Sequence, residues 1–261
     1  MMNRMSIGLQ LFTLREQLEA DFEGTLRHVA GLGYEGVEFF HYGDIPADKM
    51  RELLDELGMK AIGSHIQLSN LKDNLDNEIA YLKTIGAKYA ICPWLAPELR
   101  DVDAWSQHLI DLAEIGRACT EQGIEFLYHN HDFEFSTLID GQMVFEALFE
   151  RIPATDLKVE MDIGWVQYSG IDPVGYINKY AGRLPLLHLK DFLKESRDPE
   201  KQIDTVELGE GVLPLLDIVK AASDAGVEWI IVEQDSCVNP PLESIATSYN
   251  WVQQNYLNQF K

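Results

Sequence analysis

Two apolar runs between residues 157 and 191, LKVEMDI and LPLLHLKD, each end in groups able to ligate a metal. Side chains along an extended chain alternate faces with a period of two. Glu160 and Asp162 therefore share one face of the first run, and His188 and Lys190 share one face of the second. Val159, Met161, Leu187 and Leu189 are aliphatic, so the opposite face is buried too. A strand buried on both sides belongs in a parallel sheet, and acid and imidazole at its C-terminal end place a site at the rim.

The same reading of the other apolar runs adds Gln10, Glu38, His65, Trp94, His129, His131 and Glu233, each near a C-terminal end. Buried charges persist only when paired or bound to metal. A lone inward Glu is often salt-bridged, and a lone His is more often hydrogen-bonded core than ligand. Asp162, His188 and Glu233 on three successive strands are harder to dismiss. Mixed carboxylate and imidazole ligands suit one divalent ion, with Mn²⁺ favoured over Zn²⁺, Co²⁺ or Mg²⁺.

These residues need elements to hold them, and the chain is punctuated accordingly. Helix-like segments stop at Gly33, Gly58, Gly86, Gly123, Gly182 and Gly226, and an apolar strand follows each within a few residues. Glycine supplies the left-handed conformation that closes a helix. Trp105, Leu109, Leu112, Gly116 and Cys119 form one helical stripe that packs inward. With SIGLQLF at the start and LKVEMDI before Gly164, the count is eight strands, seven intervening helices and a closing helix from about Leu242. Alternation of this kind means parallel strands with right-handed crossovers. Roughly 33 residues per unit matches an α/β fold of the (β/α)8 barrel type, a single domain over residues 1–261. Residues 132–142 and 192–211 read as long loops on the site's side of the barrel. Gly209 and Gly211 in the second suit a tight turn that could cradle a phosphate, against which Glu207 and Glu210 stand.

Composition sets the outer limits. Of 261 residues 46% are hydrophobic, enough for a large core. No apolar run reaches the ~18 residues of a membrane span. The start, MMNRMSIGLQLF, lacks a long apolar region and a small-residue cleavage site, and reads as an unprocessed cytoplasmic beginning. Cys92, Cys119 and Cys237 are scattered, as in a reduced protein. A formal charge of −22 argues against nucleic acid and anionic membranes as partners.

The whole chain resembles the xylose-isomerase-like barrels, a superfamily of sugar isomerases and epimerases with apurinic-site endonuclease relatives. The motifs carrying the resemblance are GLQLFTLRE, GYEGVEFF, YHNHDFEF, MDIGW, LLHLKD and VEQD. The resemblance implies a metal held by Asp162, His188 and Glu233, with Lys190 and His65 near substrate oxygens. Two departures stand out. Typical epimerases of the family carry a Glu at the end of strand 5, as metal ligand and acid/base, where this chain has His129. They often have a His shortly after the strand 6 Asp, where this chain has Trp165. Glu160 is the candidate to replace the missing carboxylate as a fourth ligand.

The expected activity is a divalent-metal-dependent sugar isomerase or epimerase working on a sugar or keto-sugar through a metal-stabilised enediolate. Glu233 is the leading base, with His129 or Glu160 across the ring and Lys190 beside them. Gln10, Glu38, His65, Trp94, His131 and Trp165 are expected to bind substrate, the two tryptophans by stacking on a sugar face. The altered strand 5 residue motivates an alternative, a metal-dependent lyase or hydrolase of 3-keto-glycosides. A non-catalytic sugar-binding barrel is the alternative from another class. DNA repair is disfavoured by the charge and by too few spare rim ligands. The rim lacks an Arg/Lys cluster, which argues against a phosphate. A homodimer is compatible with exposed aromatic candidates that the sequence does not assign.

Overall fold

The computed structural model describes residues 3–193 and 205–260. Eight parallel strands among them close into a barrel: β1 (Ser6–Gln10), β2 (Gly36–Phe39), β3 (Lys60–His65), β4 (Tyr89–Cys92), β5 (Glu125–His129), β6 (Lys158–Asp162), β7 (Leu186–Leu189) and β8 (Trp229–Val232). Each strand pairs with its sequence neighbours, and β8 pairs with β1. Strand follows helix because the glycines end the helices where expected. Gly33, Gly58, Gly86 and Gly226 cap theirs in the left-handed region, with φ of 107°, 66°, 79° and 84°. The inward helical stripe lies on Val102–Glu121, where Trp105, Leu112 and Cys119 are fully buried. The closing helix is Pro241–Asn255.

Register sorts the barrel interior into layers. At the N-terminal mouth Lys88 bridges Glu228 at 2.9 Å and Glu125 at 3.2 Å. Ile62, Tyr89, Ile91, Leu127, Leu186, Trp229 and Ile231 fill the middle as an apolar plug. Pairing Asp162 with His188 and His129 with Glu160 then puts the polar residues in one layer at the C-terminal mouth. Strand β3 reaches that layer by a device that alternation does not reveal. Between the pairs Val37–Ala61 and Phe39–Ser64 the register slips by one residue. The extra residue is a β-bulge. It lets Ile62 face inward and His65, three residues on, face inward as well.

Two loop readings need correction. Residues 132–142 are not an open loop: Phe133–Ser136 is a short helix, and Leu138–Ile139 pairs antiparallel with Gln142–Met143. Asp140 and Gly141 between them have φ of 53° and 81°, the positive values that a two-residue hairpin turn demands and an Asp-Gly pair supplies. The second loop is partly structured at its ends, where Asp191–Phe192 pairs with Thr205–Val206. Residues 194–204 of it lie outside the described residues. The Gly209–Gly211 turn is not a phosphate cradle, because the carboxylate of Asp191 fills it. Asp191 accepts from the N–H groups of Gly209 and Gly211 at 3.0 Å and of Leu213 at 3.1 Å. A Cβ on Gly211 would come within 2.1 Å of that carboxylate, so only glycine fits.

Among the described residues no helix is long and apolar enough to cross a membrane.

Candidate metal centre and active site

The floor of the mouth is built from the ends of β1, β2, β3, β5, β6, β7 and β8. Gln10, Glu38, Glu160, Asp162 and His188 are fully buried, and His129, Lys190 and Glu233 nearly so. His188 bridges two carboxylates: Nδ1 lies 2.8 Å from Glu233 Oε2 and Nε2 lies 2.8 Å from Glu38 Oε2. His65 Nε2 stands between Glu160 Oε2 at 2.7 Å and Glu38 Oε2 at 3.0 Å. His129 Nδ1 lies 3.0 Å from Glu160 Oε2, and its Nε2 lies 3.7 Å from Asp162 Oδ2. The Lys190 ammonium is held by Asp235 at 2.7 Å, Asp162 at 2.8 Å and Glu233 at 3.0 Å.

Asp162 is fixed from two sides. Its Oδ1 accepts from the backbone N–H groups of Gly164 at 2.9 Å and Trp165 at 3.2 Å. The Asn130 amide grips its backbone, donating to the carbonyl at 3.1 Å and accepting from the N–H at 3.0 Å. This ties the end of β5 to the end of β6.

The three imidazoles nearest the cavity differ in charge. Burial opposes a proton on His65, but Glu38 and Glu160 outweigh it and push its pKa up to about 9. Burial, and then the cations at His188 and His65, hold His129 well below the usual range. Burial together with Lys190 lowers His131 to about 3. Among the carboxylates, burial and then the neighbouring Glu38 raise Glu160. Burial would also raise Glu233, but Lys190 and His188 overcome it and hold the group low.

The sequence-predicted residues gather at this one place, in different capacities. Glu233, His129, His131, His65 and Trp94 line a cavity of about 380 Å³ together with Asp235, Phe12, Phe40, Gln67 and Pro93. Trp94 lies past the end of β4, half-buried under the Arg100 guanidinium 4.9 Å from its ring centre. Trp165 packs beside His131, with ring centres 5.5 Å apart. Gln10 and Glu38 sit below, joined by a 2.6 Å hydrogen bond. Sequence reasoning missed Asp235, although it shares a face with Glu233 two residues earlier, and that parity was available as a signal. Asn130 and the aromatic wall of Phe12 and Phe40 carried no comparable signal.

Two overlapping sets, His65/His129/Glu160/His188 and His129/Asp162/His188/Glu233, each offer one ligand atom per residue with all atoms within 4.8 Å of one another. Buried oxygens Glu38 Oε1 and Glu160 Oε1 have no hydrogen-bond partner among the described residues. A donor set of imidazoles and carboxylates with surplus buried negative charge fits a divalent cation.

The family model described as xylose isomerase-like TIM barrel matches residues 26–255. The chain belongs to that family. Inosose dehydratase of Geobacillus kaustophilus is 26% identical over 253 residues, covering 83% of this chain and 81% of its own length. Inosose dehydratase of Clostridium beijerinckii is 23% identical over 218 residues, covering 78% and 67%. Among solved structures, a sugar phosphate isomerase/epimerase from Parabacteroides distasonis superposes with a TM-score of 0.80 at 21% identity, over 95% of this chain and 93% of its own.

Proposed function

We propose that this xylose isomerase-like barrel is an enzyme that removes a proton beside the ketone of an unphosphorylated keto-sugar or keto-cyclitol and then expels a β-hydroxyl as water. One observation carries the choice of elimination. Glu233 shares the cavity wall with imidazoles, His65, His129 and His131, and the other lining carboxylate, Asp235, is held by the Lys190 ammonium at 2.7 Å, so no matched free carboxylate stands with Glu233 among the described lining residues. Epimerisation takes a proton from one face and returns it to the other, which suits a matched pair of bases. Elimination needs unlike groups, a base for the carbon-bound proton and an acid for the departing hydroxyl.

Unlike groups are present. Glu233 is ionised, and His131 is neutral with a buried Nδ1 that has no partner among the described residues. Either is a base at the cavity wall. His65, with its pKa raised to about 9, carries the proton an acid would deliver. Lys190 places a fixed positive charge beside Glu233, where it would stabilise an oxyanion. Asp162, His188, Glu233 and His129 would hold a divalent cation, which would supply Lewis acidity at the ketone. Among the described residues that line the cavity there is no Arg or Lys, which favours a neutral polyol over a phosphate. The name shared by the two relatives, a dehydratase of an inosose, supports the same reaction class.

The deciding experiment is proton NMR in D₂O with manganese-loaded protein and a panel of keto-cyclitols and keto-hexoses. Loss of a carbinol signal with formation of an unsaturated or diketo product is expected. Deuterium uptake with an intact skeleton and an epimeric or isomeric product would put the isomerase/epimerase reading first. A silent binding barrel predicts that Glu233→Gln changes no measurable turnover.

A further inference from the structure

His129 and His188 stand between two groups of acids and turn a different ring nitrogen to each. His129 presents Nδ1 to Glu160 at 3.0 Å and Nε2 toward Asp162 at 3.7 Å. His188 presents Nε2 to Glu38 at 2.8 Å and Nδ1 to Glu233 at 2.8 Å. The acids thus fall into an inner pair, Glu38 and Glu160, and an outer pair, Asp162 and Glu233. Glu233 and His129 line the cavity that a substrate would enter, and the inner acids do not.

A neutral imidazole has one lone pair and one N–H. When the lone pair ligates a metal, the other nitrogen donates its proton, commonly to a carboxylate that fixes ring orientation and tautomer. We propose that Glu160 and Glu38 are positioning residues, accepting the N–H protons of His129 and His188 so that a single cation is held on the cavity side by His129 Nε2, His188 Nδ1, Asp162 and Glu233. The proposal rests on the metal reading above, and within it Glu160 acts on the ligand rather than as one.

The surroundings of the inner acids agree with this role. Glu38 is itself anchored: Gln10 Nε2 donates to its Oε2 at 2.6 Å, and Gln10 Oε1 accepts from the Phe12 N–H at 3.1 Å. His65 Nε2 ties the inner acids together, at 2.7 Å from Glu160 and 3.0 Å from Glu38. On the outer side Asp162 spends Oδ1 on two backbone N–H groups, and its Oδ2 faces the Lys190 ammonium at 2.8 Å and His129 Nε2 at 3.7 Å. The set His65/His129/Glu160/His188 is a geometric competitor for the cation. The nitrogens that face Glu160 are His129 Nδ1 at 3.0 Å and His188 Nε2 at 3.5 Å, opposite to those on the cavity side, so both sets fill at once only if each ring gives up both protons. One cation per chain follows.

The test uses the full chain loaded with Zn²⁺ or Co²⁺. Elemental analysis is expected to give one metal per chain, and X-ray absorption of the zinc form two imidazoles per metal. Glu160→Gln and Glu38→Gln keep an acceptor oxygen. Each is expected to leave the cobalt absorption bands and the imidazole count unchanged while weakening affinity, by chelator competition, about 10–100-fold. Asp162→Asn should instead alter the cobalt spectrum. A changed coordination spectrum in Glu160→Gln, unchanged affinity in both inner variants, or two metals per chain would overturn the proposal. Should a variant fail to fold, an imidazole count other than two in the wild-type protein overturns it equally. A wild-type protein that binds no metal would remove the metal reading itself, an outcome distinct from the others.

Discussion

Lys190 faces the buried acids of the mouth, with 1% of its surface exposed and carboxylates of three residues within 3.0 Å. Taking one partner out of a buried ion pair strands the other and costs about 3–5 kcal/mol. Lys190→Met should lose that much stability in urea titrations run with a chelator. It should recover part of the loss when a divalent cation is supplied to Asp162 and Glu233. Glu134 is a buried acid of the opposite kind. Burial pushes its pKa up to about 8, against the hydrogen bonds from Tyr128 Oη and the His131 N–H at 2.8 Å. Since an unfolded Glu ionises near ~4.3, its contribution is complete below that pH and is lost as pH rises through about 8. Glu134→Gln keeps an acceptor and cannot ionise. Its stability relative to wild type should therefore rise from pH ~5 to ~8, by at most about 1.4 kcal/mol per pH unit. A flat difference across urea titrations in that range would show that Glu134 is ionised when folded. Residues with strand parity, such as Glu160, Asp162, His188 and Glu233, could be read directly from the sequence. Asn130 could not, because its partners are backbone atoms of Asp162 and no side-chain periodicity marks them.

At the scale of elements, what was legible depended on length. The eight strands and the glycine-stopped helices repeat often enough to declare themselves. The hairpin at residues 138–143 has two-residue strands, too short to show alternation, and only its Asp-Gly turn signals it. The bulge in β3 was invisible for another reason: plain alternation and the bulged strand both bring His65 inward, and only the pairing tells them apart. The Gly209–Gly211 turn misled because a nest of N–H groups attracts any anion, and here the anion is covalently part of the chain. Asp191→Ala would leave the N–H groups of Gly209, Gly211 and Leu213 without their acceptor. Each unsatisfied buried donor costs about 1–3 kcal/mol, moderated where water reaches it, so a loss of about 3 kcal/mol is expected. Asp191→Asn retains an acceptor oxygen and should lose less. Urea midpoints for the two variants check the order, and equal losses would mean that the cradle does not hold the turn.

For the whole molecule the governing quantity is charge. A formal charge of −22 draws divalent cations to the surface as a loose atmosphere, so stabilisation by added metal would by itself prove little. The mouth differs because Glu38, Glu160, Asp162 and Glu233 are buried and converge from three strands only when the barrel is closed. The folded chain therefore has a candidate site that the unfolded chain lacks, and a cation bound there would add RT ln(1 + [L]/Kd) to stability, about 2.7 kcal/mol at a hundredfold excess over Kd. For a chain of this size that raises Tm by about 5–10 °C. The atmosphere and the site separate under two conditions. Added monovalent salt screens surface charge over about 8 Å at physiological strength but leaves a buried site little affected. Asp162→Asn removes a buried candidate ligand while changing the surface hardly at all. Differential scanning fluorimetry with chelator and then with Mn²⁺ should give the full shift in wild type at 0.15 M NaCl and little or none in Asp162→Asn. Equal shifts in both proteins would assign the effect to the surface and leave the converging acids without their cation.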